Sequence, residues 1–468
     1  MARLPQRGQA FGALLLATLF GGCLPSAEDR IAVRVDSIVR AAVDRGVVAG
    51  ASVSVRRRGS ELLTEAYGLA SIESAREATT STLFNIGSVT KLFTAAAALT
   101  LDQAGALDLD DPLGRWLPAL ASDPAIARIT VRQLLNHTSG LNEYGPSDLA
   151  RWQTTHEPLQ PGFVLSYVRD RPLDFDPGSH WAYSNTGFFL AGLVIEAASG
   201  RPWFDYLKEA VLEPLELRDV HLCDDVEASR ASGYELVDGQ LTAADLYIEA
   251  GVRGDGGLCT TPLELTTFLE RVEEGRLLSG PILAQMQAPT RLTSGLAVDY
   301  GLGTRLGVLD GHRLWGHTGG HAGIVAVAAR YPEDDVSISV VVNTIRSTND
   351  ALVLEGEIAA LVFGIPTEVP SAVESLDLGP FAGRYRGEAS EGLRTVSVHG
   401  AGLTVSLDGG SPRTLVPISD ATFVRQNDPY PLDRYVFHVV HGTVEGYSAY
   451  YNGFHGAFYQ RLPVGSNR

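Results

Sequence analysis

Lysine is almost missing from this chain: 35 of its 37 basic residues are arginine, and the two lysines are Lys91 and Lys208. Ordinary positive charge is therefore carried by guanidinium groups, which stay protonated, so a lysine here is a candidate for work in which a proton must leave. Cysteine is scarce as well, at three positions, and none stands in a Cys/His spacing that suits zinc; neither a metal nor a cofactor is expected. Basic charge is in deficit, with a formal net charge of −18. Nucleic-acid binding draws its affinity from neutralised phosphates, so a nucleic-acid partner is excluded. Repeat periods, heptads and low-complexity tracts are absent, and neither a repeat array nor a disordered chain is expected. The one basic cluster, Arg56, Arg57 and Arg58, reads as a solvated turn beside a strand end.

What is present begins with an export label. Arg3 and Arg7 precede an apolar run from about Ala10 to Leu19 that is too short to span a bilayer. Leu19-Phe20-Gly21-Gly22-Cys23 resembles a bacterial lipobox with an unusual Phe20. Cys23 is thus the lipidation candidate, giving a signal peptide over 1–23 and membrane attachment as a periplasmic or outer-membrane lipoprotein. Cleavage near Ala27, with release into the periplasm or medium, is the alternative. Export leads to an oxidising compartment, where Cys223 and Cys259 are permitted to pair, although spacing does not decide whether they meet.

A chain of 468 residues exceeds what one core usually serves, so a large body and an appended unit are expected. Apolar residues at helical spacing from Ile31 to Val43 precede an alternating strand at Ala51–Val55 and another near Glu61–Gly68. The alanine-rich stretch Ser88–Leu101 predicts a buried helix with Ser88 at its N-terminus. A mainly helical region follows to about residue 290. Strand signals resume at Tyr300–Gly307, Arg313–Gly316, Ile324–Tyr331 and Val336–Asn343, with a hairpin turn at Pro332–Asp335 and a covering helix from about Asn349 to Phe363. The fold class expected is α/β (α+β): an antiparallel sheet flanked by helices, plus a helical lobe. Pro366 and Pro370 mark a linker over 366–375 between a body at 28–365 and a C-terminal unit at 376–468. Short alternating segments between glycine-rich turns make that unit a small antiparallel β-barrel or sandwich.

Three local patterns carry chemistry. Ser88-Val89-Thr90-Lys91 sets a hydroxyl and an amine three residues apart, on one face of a helix whose N-terminus favours developing negative charge. Lysine activates such a hydroxyl when it gives up its proton to become a base. Tyr183-Ser184-Asn185 stands before a helix starting near Gly187 and after the turn-forming Asp176-Pro177-Gly178. A phenol there can exchange protons with the serine and a leaving group, and Asn185 can hold a substrate amide. His317-Thr318-Gly319-Gly320 enters the Ile324–Tyr331 strand, where glycines let a substrate backbone lie on a sheet edge and the Gly320 amide can serve an oxyanion. The imidazole of His317 is placed to hydrogen-bond Tyr183 or a substrate carboxylate. Taken singly, each pattern also has an ordinary structural reading; it is their conjunction, in this order, that points to one site.

Together these residues resemble the serine β-lactamase and penicillin-binding-protein superfamily, in its class C β-lactamase-like branch with D-aminopeptidases, alkaline D-peptidases and family VIII esterases. Phe84–Gly87, Leu134–Leu141, Pro177-Gly178 and Gly256–Thr261 are further stretches similar to that family, and the resemblance covers about residues 31–364. It implies a β-lactamase/transpeptidase-like fold and an acyl-enzyme on Ser88. It also implies that Lys91 and Tyr183 share the base and acid roles, that Asn185, His317, Thr318, Gly319 and Gly320 meet the substrate, and that the amides of Ser88 and Gly320 form an oxyanion hole. His137 is read as structural, in a turn after a Val131–Leu135 helix, and Cys259 as packing or a disulfide partner. His317 stands where class C β-lactamases carry lysine, which turns the expectation towards a peptidase on D-amino-acid-containing or cell-wall-derived peptides. A carboxylesterase or weak β-lactamase of the same fold, and a non-hydrolytic penicillin-binding sensor, are the alternatives. The C-terminal unit is similar to lipocalin-like modules of peptidase relatives and could pack against a second copy, making a homo-oligomer.

Overall fold

A computed structural model describes residues 26–144, 148, 159–226, 229–244, 253–345, 350–366, 371–373, 375–387, 392–407, 412–426 and 432–463. The export segment with Cys23, Asn349 and Pro370 lie outside the described residues. Helix α1 (Ala27–Asp44) opens on a reciprocal cap: the Ser26 hydroxyl accepts from the Asp29 amide and the Asp29 carboxylate accepts from the Ser26 amide. Then come β1 (Gly50–Arg57), β2 (Ser60–Ser71), α2 (Thr90–Gln103), α3 (Asn185–Ser199), α4 (Pro262–Glu273), β3 (Arg305–Leu309), β4 (His312–His321), β5 (Ile324–Tyr331), β6 (Val336–Val342) and α5 (Asp350–Phe363).

The six strands pair antiparallel in the order β3-β4-β5-β6-β1-β2. Strand β5 shows why both faces are covered. All its residues are buried; Val325, Val327, Ala329 and Tyr331 join a core with α1 and α5, while Ile324, Ala326 and Ala328 face the helical lobe of α2, α3 and α4. The period-two alternation of a strand thus splits one apolar run between two cores.

Beyond α5, strands β7 (Gly383–Arg386), β8 (Leu393–His399), β9 (Gly402–Leu407), β10 (Arg413–Pro417), β11 (Thr422–Arg425), β12 (Arg434–Val440), β13 (Thr443–Tyr451) and β14 (Phe454–Arg461) follow one another antiparallel. Pairing of Tyr385 with Arg461 and Arg386 with Gln460 closes them into an eight-stranded barrel. Its interior is aromatic, with Phe381, Phe423, Phe437 and Tyr447 in edge-to-face and tilted contacts. The barrel is hydrogen-bonded to the main sheet where β14 meets β3 at Phe454 and Gly307. A Cβ at Gly307 would lie 1.9 Å from the Gly453 carbonyl oxygen, so this approach requires glycine.

Four details depart from the sequence reading. The strand expected at Tyr300–Gly307 starts at Arg305 instead, with Tyr300 in an isolated bridge to Arg305. His317–Gly320 does not enter a strand from a turn but lies within β4. Ser88 precedes the α-helix proper, in a 3₁₀ turn at Gly87–Val89. Arg56 is not solvated; its Nε pairs with Glu270 Oε2 at 2.7 Å against α4, because the β1 end packs on that helix. Cys223 and Cys259 are joined by a disulfide beside the short strand Phe84–Asn85, which leads into the Ser88 turn.

Candidate active site

The serine turn is built by local geometry. Gly87 takes φ +50°, and the Asn85 side-chain oxygen accepts from the Gly87 amide at 2.8 Å, folding the chain back on itself just before Ser88. One turn later Lys91 is fully buried, with Nζ 2.9 Å from Ser88 Oγ, 2.7 Å from Asn185 Oδ1 and 2.8 Å from the Asp255 carbonyl oxygen. Two of these partners can only accept hydrogen bonds. A neutral amine has two N–H donors and one lone pair. With the donors spent on Asn185 and Asp255, the lone pair is left for the Ser88 hydroxyl.

Asn185 is the first residue of α3. The Ser184 hydroxyl caps that helix by accepting from Gly187 at 2.9 Å, and the Glu143 carboxylate accepts from the Asn185 and Thr186 amides at 2.9 and 3.1 Å. Burial holds the Glu143 carboxyl above the usual carboxylate range. Tyr183, just outside the helix, is half-buried. Its ring centroid is 4.9 Å from Lys91 Nζ and 5.3 Å from the Arg305 guanidinium. The structure therefore brings Ser88, Lys91, Tyr183 and Asn185 to one place.

His317 does something other than expected. The Ser184 amide donates to His137 Nδ1 at 3.0 Å, so the His137 proton sits on Nε2 and is donated to the Tyr300 hydroxyl at 3.0 Å. Tyr300 then donates to His317 Nε2 at 3.1 Å, which leaves the His317 proton on Nδ1, bonded to the Thr318 carbonyl at 2.5 Å. Each ring nitrogen of the two histidines has a partner, the Tyr300 hydroxyl bridges the two rings, and both imidazoles are neutral. Their pKa values are held well below the ordinary value, first by burial, then by Lys91 for His137 and by Arg305 for His317. Both ring nitrogens of His317 are thus engaged away from Tyr183, and the imidazole acts as a fixed support of β4 rather than as a donor into the cleft.

Behind His317, β4 passes against the serine turn. A Cβ on Gly319 would meet the Ile86 carbonyl oxygen at 2.0 Å, and one on Gly87 would meet Gly320 N at 2.7 Å. Glycine at both positions lets the Gly319–Gly320 backbone pack directly on the Ile86–Ser88 backbone. Thr318 is half-buried and lines a cavity on the barrel side.

Several members of the site escaped the sequence reading. Asp255 fixes Lys91 through its carbonyl, while its carboxylate accepts from the Tyr144 hydroxyl at 2.9 Å and is raised above the ordinary range by burial. It lies one residue before the recognised Gly256–Thr261 stretch, and the Gly254-Asp255-Gly256-Gly257 run was its signal. Glu143, Tyr300 and Arg305 carry no local signal, since only the tertiary fold sets them beside the motifs. Among the described residues no group of three His, Cys, Asp or Glu side chains is placed to hold a metal ion.

The sequence model of the Beta-lactamase family matches residues 35–362. The chain belongs to the beta-lactamase family. Within that family it is 27% identical over 330 residues to "Penicillin-binding protein 4*" of Bacillus subtilis (strain 168), covering 67% of this chain and 72% of that one. It is 30% identical over 275 residues to a D-aminopeptidase of Brucella anthropi, covering 58% of this chain but only 51% of the relative, so the chain spans about half the length of that enzyme. Its backbone is similar to the D-amino acid amidase of Ochrobactrum anthropi SV3, solved in complex with L-phenylalanine amide, at TM-score 0.61 and 26% identity over 72% of this chain and 98% of the other. This beta-lactamase family member is thus a serine-hydrolase-type protein with D-aminopeptidase and D-amino acid amidase homologues.

Proposed function

We propose that this protein hydrolyses peptides containing D-amino acids through an acyl-enzyme on Ser88. The reading rests on one observation: Lys91 Nζ has two acceptor-only partners, so its neutral form turns its lone pair to Ser88 Oγ at 2.9 Å. Lys91 takes the hydroxyl proton as Oγ adds to the scissile carbonyl. Negative charge then develops on the carbonyl oxygen between the Ser88 and Gly320 amides, at the start of a helix. Tyr183, whose ring lies beside the Lys91 ammonium so formed, passes its proton to the leaving amine as the C–N bond breaks and takes the Lys91 proton in return, which leaves Lys91 a free base again. Water then adds to the acyl carbonyl and gives a proton to Lys91, which hands it to Ser88 Oγ as the C–Oγ bond breaks and the acid product leaves.

Homology to D-aminopeptidase and D-amino acid amidase supports the choice of substrate. The Cys223–Cys259 disulfide supports a second part of the proposal, export to an oxidising compartment. The deciding experiment is a panel of D-amino-acid peptides and amides, short acyl esters and a chromogenic cephalosporin, run on wild type, Ser88→Ala and Lys91→Arg with a reactive-serine probe. Turnover of D-peptides and labelling of Ser88 that both vanish in the two variants are expected. Turnover of esters alone would replace the peptidase with an esterase, labelling without turnover would make the protein a sensor, and an unlabelled Ser88 would end the proposal.

A further inference from the structure

The segment that carries Asp255 is docked between two helices. The Thr94 hydroxyl, one turn along α2 from Lys91, donates to the Gly254 carbonyl at 2.7 Å, and Arg253 Nε donates to Glu196 Oε1 on α3 at 3.1 Å. Gly254 takes φ +80°, and a Cβ there would lie 2.6 Å from the Phe188 carbonyl oxygen, so only glycine lets the chain pass this close to α3. Asp255 is thereby held at both ends. Its carbonyl accepts from Lys91 Nζ at 2.8 Å, while its carboxyl Oδ2 accepts from the hydroxyl of the buried Tyr144 at 2.9 Å.

Charge supplies the second observation. When Lys91 takes the Ser88 proton it becomes an ammonium with no exposed surface, and a buried charge is costly unless an opposite charge stands near it. Among the described residues, two buried carboxyl groups feel the Lys91 charge, those of Glu143 and Asp255. Glu143 is already engaged, since both its oxygens accept from the Asn185 and Thr186 amides. Asp255 is held through Oδ2 by one neutral hydroxyl, and its Oδ1 is buried with no hydrogen-bond partner, although other parts of the residue reach the surface. Burial raises this carboxyl, and Lys91 is the first charge that draws it back down. The other titratable or charged groups around the pair are Tyr144 itself, Tyr183 with Arg305 beyond its ring, and the neutral His137 and His317. None of these carries a fixed negative charge.

We propose that the Asp255 carboxylate, oriented by Tyr144, is the counter-charge of the Lys91 ammonium and so sets how strongly Lys91 attracts the Ser88 proton. Asp255 acts through Lys91, as a positioning residue, and the inference deepens the acyl-transfer reading and rests on it. The experiment follows the rate of Ser88 labelling by a fluorophosphonate as a function of pH in the full-length wild type, Asp255→Asn, Asp255→Ala and Tyr144→Phe, and needs no knowledge of the substrate. Asn keeps the side-chain shape and an oxygen for Tyr144 but no charge; Ala keeps only the backbone carbonyl. In both, the acid limb of the labelling profile is expected to move down by about one pH unit or more, because a lysine without its counter-charge holds its proton less well, and the plateau rate is expected to fall with the weaker base. Tyr144→Phe, which keeps the carboxylate but removes its donor, is expected to show a smaller move in the same direction. A merely structural Asp255 would slow Asp255→Ala, leave Asp255→Asn close to wild type and keep the limb in place in both; that result overturns the inference, as does a limb that moves up. If Asp255→Asn fails to fold, the limbs of Asp255→Ala and Tyr144→Phe decide. An unlabelled wild-type Ser88 ends the acyl-transfer reading and this inference with it, whereas a labelled Ser88 with an unmoved limb ends this inference alone.

Discussion

Tyr300→Phe removes one oxygen from the middle of the Ser184–His137–Tyr300–His317–Thr318 chain. Two buried groups lose their partner: the His137 Nε2–H and the His317 Nε2 lone pair, both on rings with no exposed surface. Each orphaned buried group costs about 1–3 kcal/mol, so the variant should lose about 2–6 kcal/mol, a large part of the stability of a typical domain. Urea unfolding at pH 7 reads this as a lower midpoint at unchanged slope. Tyr183→Phe, which alters a half-buried ring outside the chain, should leave the midpoint nearly in place while abolishing turnover. The acid limb supplies a companion measurement. Both imidazoles have folded pKa values below the unfolded value near 6.5, so under acid conditions the unfolded chain binds protons that the folded one does not. The contribution of these two rings to stability should therefore be flat above about pH 6.5 and fall below it, by up to about 1.4 kcal/mol per pH unit for each ring, and the difference between wild type and a His137→Gln, His317→Gln variant isolates it from other titrating groups. A Tyr300→Phe midpoint within about 1 kcal/mol of wild type would refute the reasoning.

Gly319→Ala, with its Cβ 2.0 Å from the Ile86 carbonyl oxygen, should displace the serine turn and cut kcat by about 10²-fold or more, whereas Gly320→Ala, whose Cβ meets only the Ile324 carbonyl oxygen at 3.9 Å, should be tolerated; parallel kcat measurements compare the two. The Cys223–Cys259 bond closes a loop with a sequence separation of 36, and Cys223→Ser should cost about 4 kcal/mol in the loop-entropy account, seen as a lower urea midpoint that reductant no longer changes. Glu355 is fully buried against the Tyr331 hydroxyl, and burial pushes its carboxyl up to about 8. The folded state keeps that proton while the unfolded state loses it near 4.5, so this contribution to stability should decline from pH 4.5 to 8, by about 5 kcal/mol in all, and Glu355→Gln should flatten that decline in midpoints taken across the range.

Much of the fold was legible because it repeats a period. The buried strand Ile324–Tyr331, the hairpin at Pro332 and the helices over Ser88–Leu101 and Gly187–Ala198 each announce themselves by alternation, turn chemistry or apolar spacing, and their bounds moved only by a few residues. Part of the barrel was visible as alternating segments, at Thr395–Val398, Leu403–Leu407 and Arg434–Val439; the number of its strands and their closure were not, because closure depends on β7 meeting β14 across the whole unit. At the site, Ser88 and Lys91 are adjacent in sequence and in space for the same reason, the pitch of one helical turn. His317 was visible as a residue and misread as a contact: its partner Tyr300 carries no motif, and the tautomer that turns both nitrogens away depends on His137 and Ser184, more than a hundred residues upstream. Glu143 was hidden likewise, since a helix cap supplied from outside the helix leaves no local pattern, and Asp255 was signalled only by the glycines around it.

The β3–β14 pairing at Gly307 has a practical consequence for anyone trimming the protein. A cut after α5 would not yield a self-contained body, since Phe454 and the Gly453 carbonyl that accepts from Val308 would leave with the barrel. The freed rim of β3 would present unmatched amides to solvent, a template for neighbouring chains, and Arg305 would lose the two carbonyls that hold it against Tyr183. A truncated form is thus expected to clump and to fail in catalysis together.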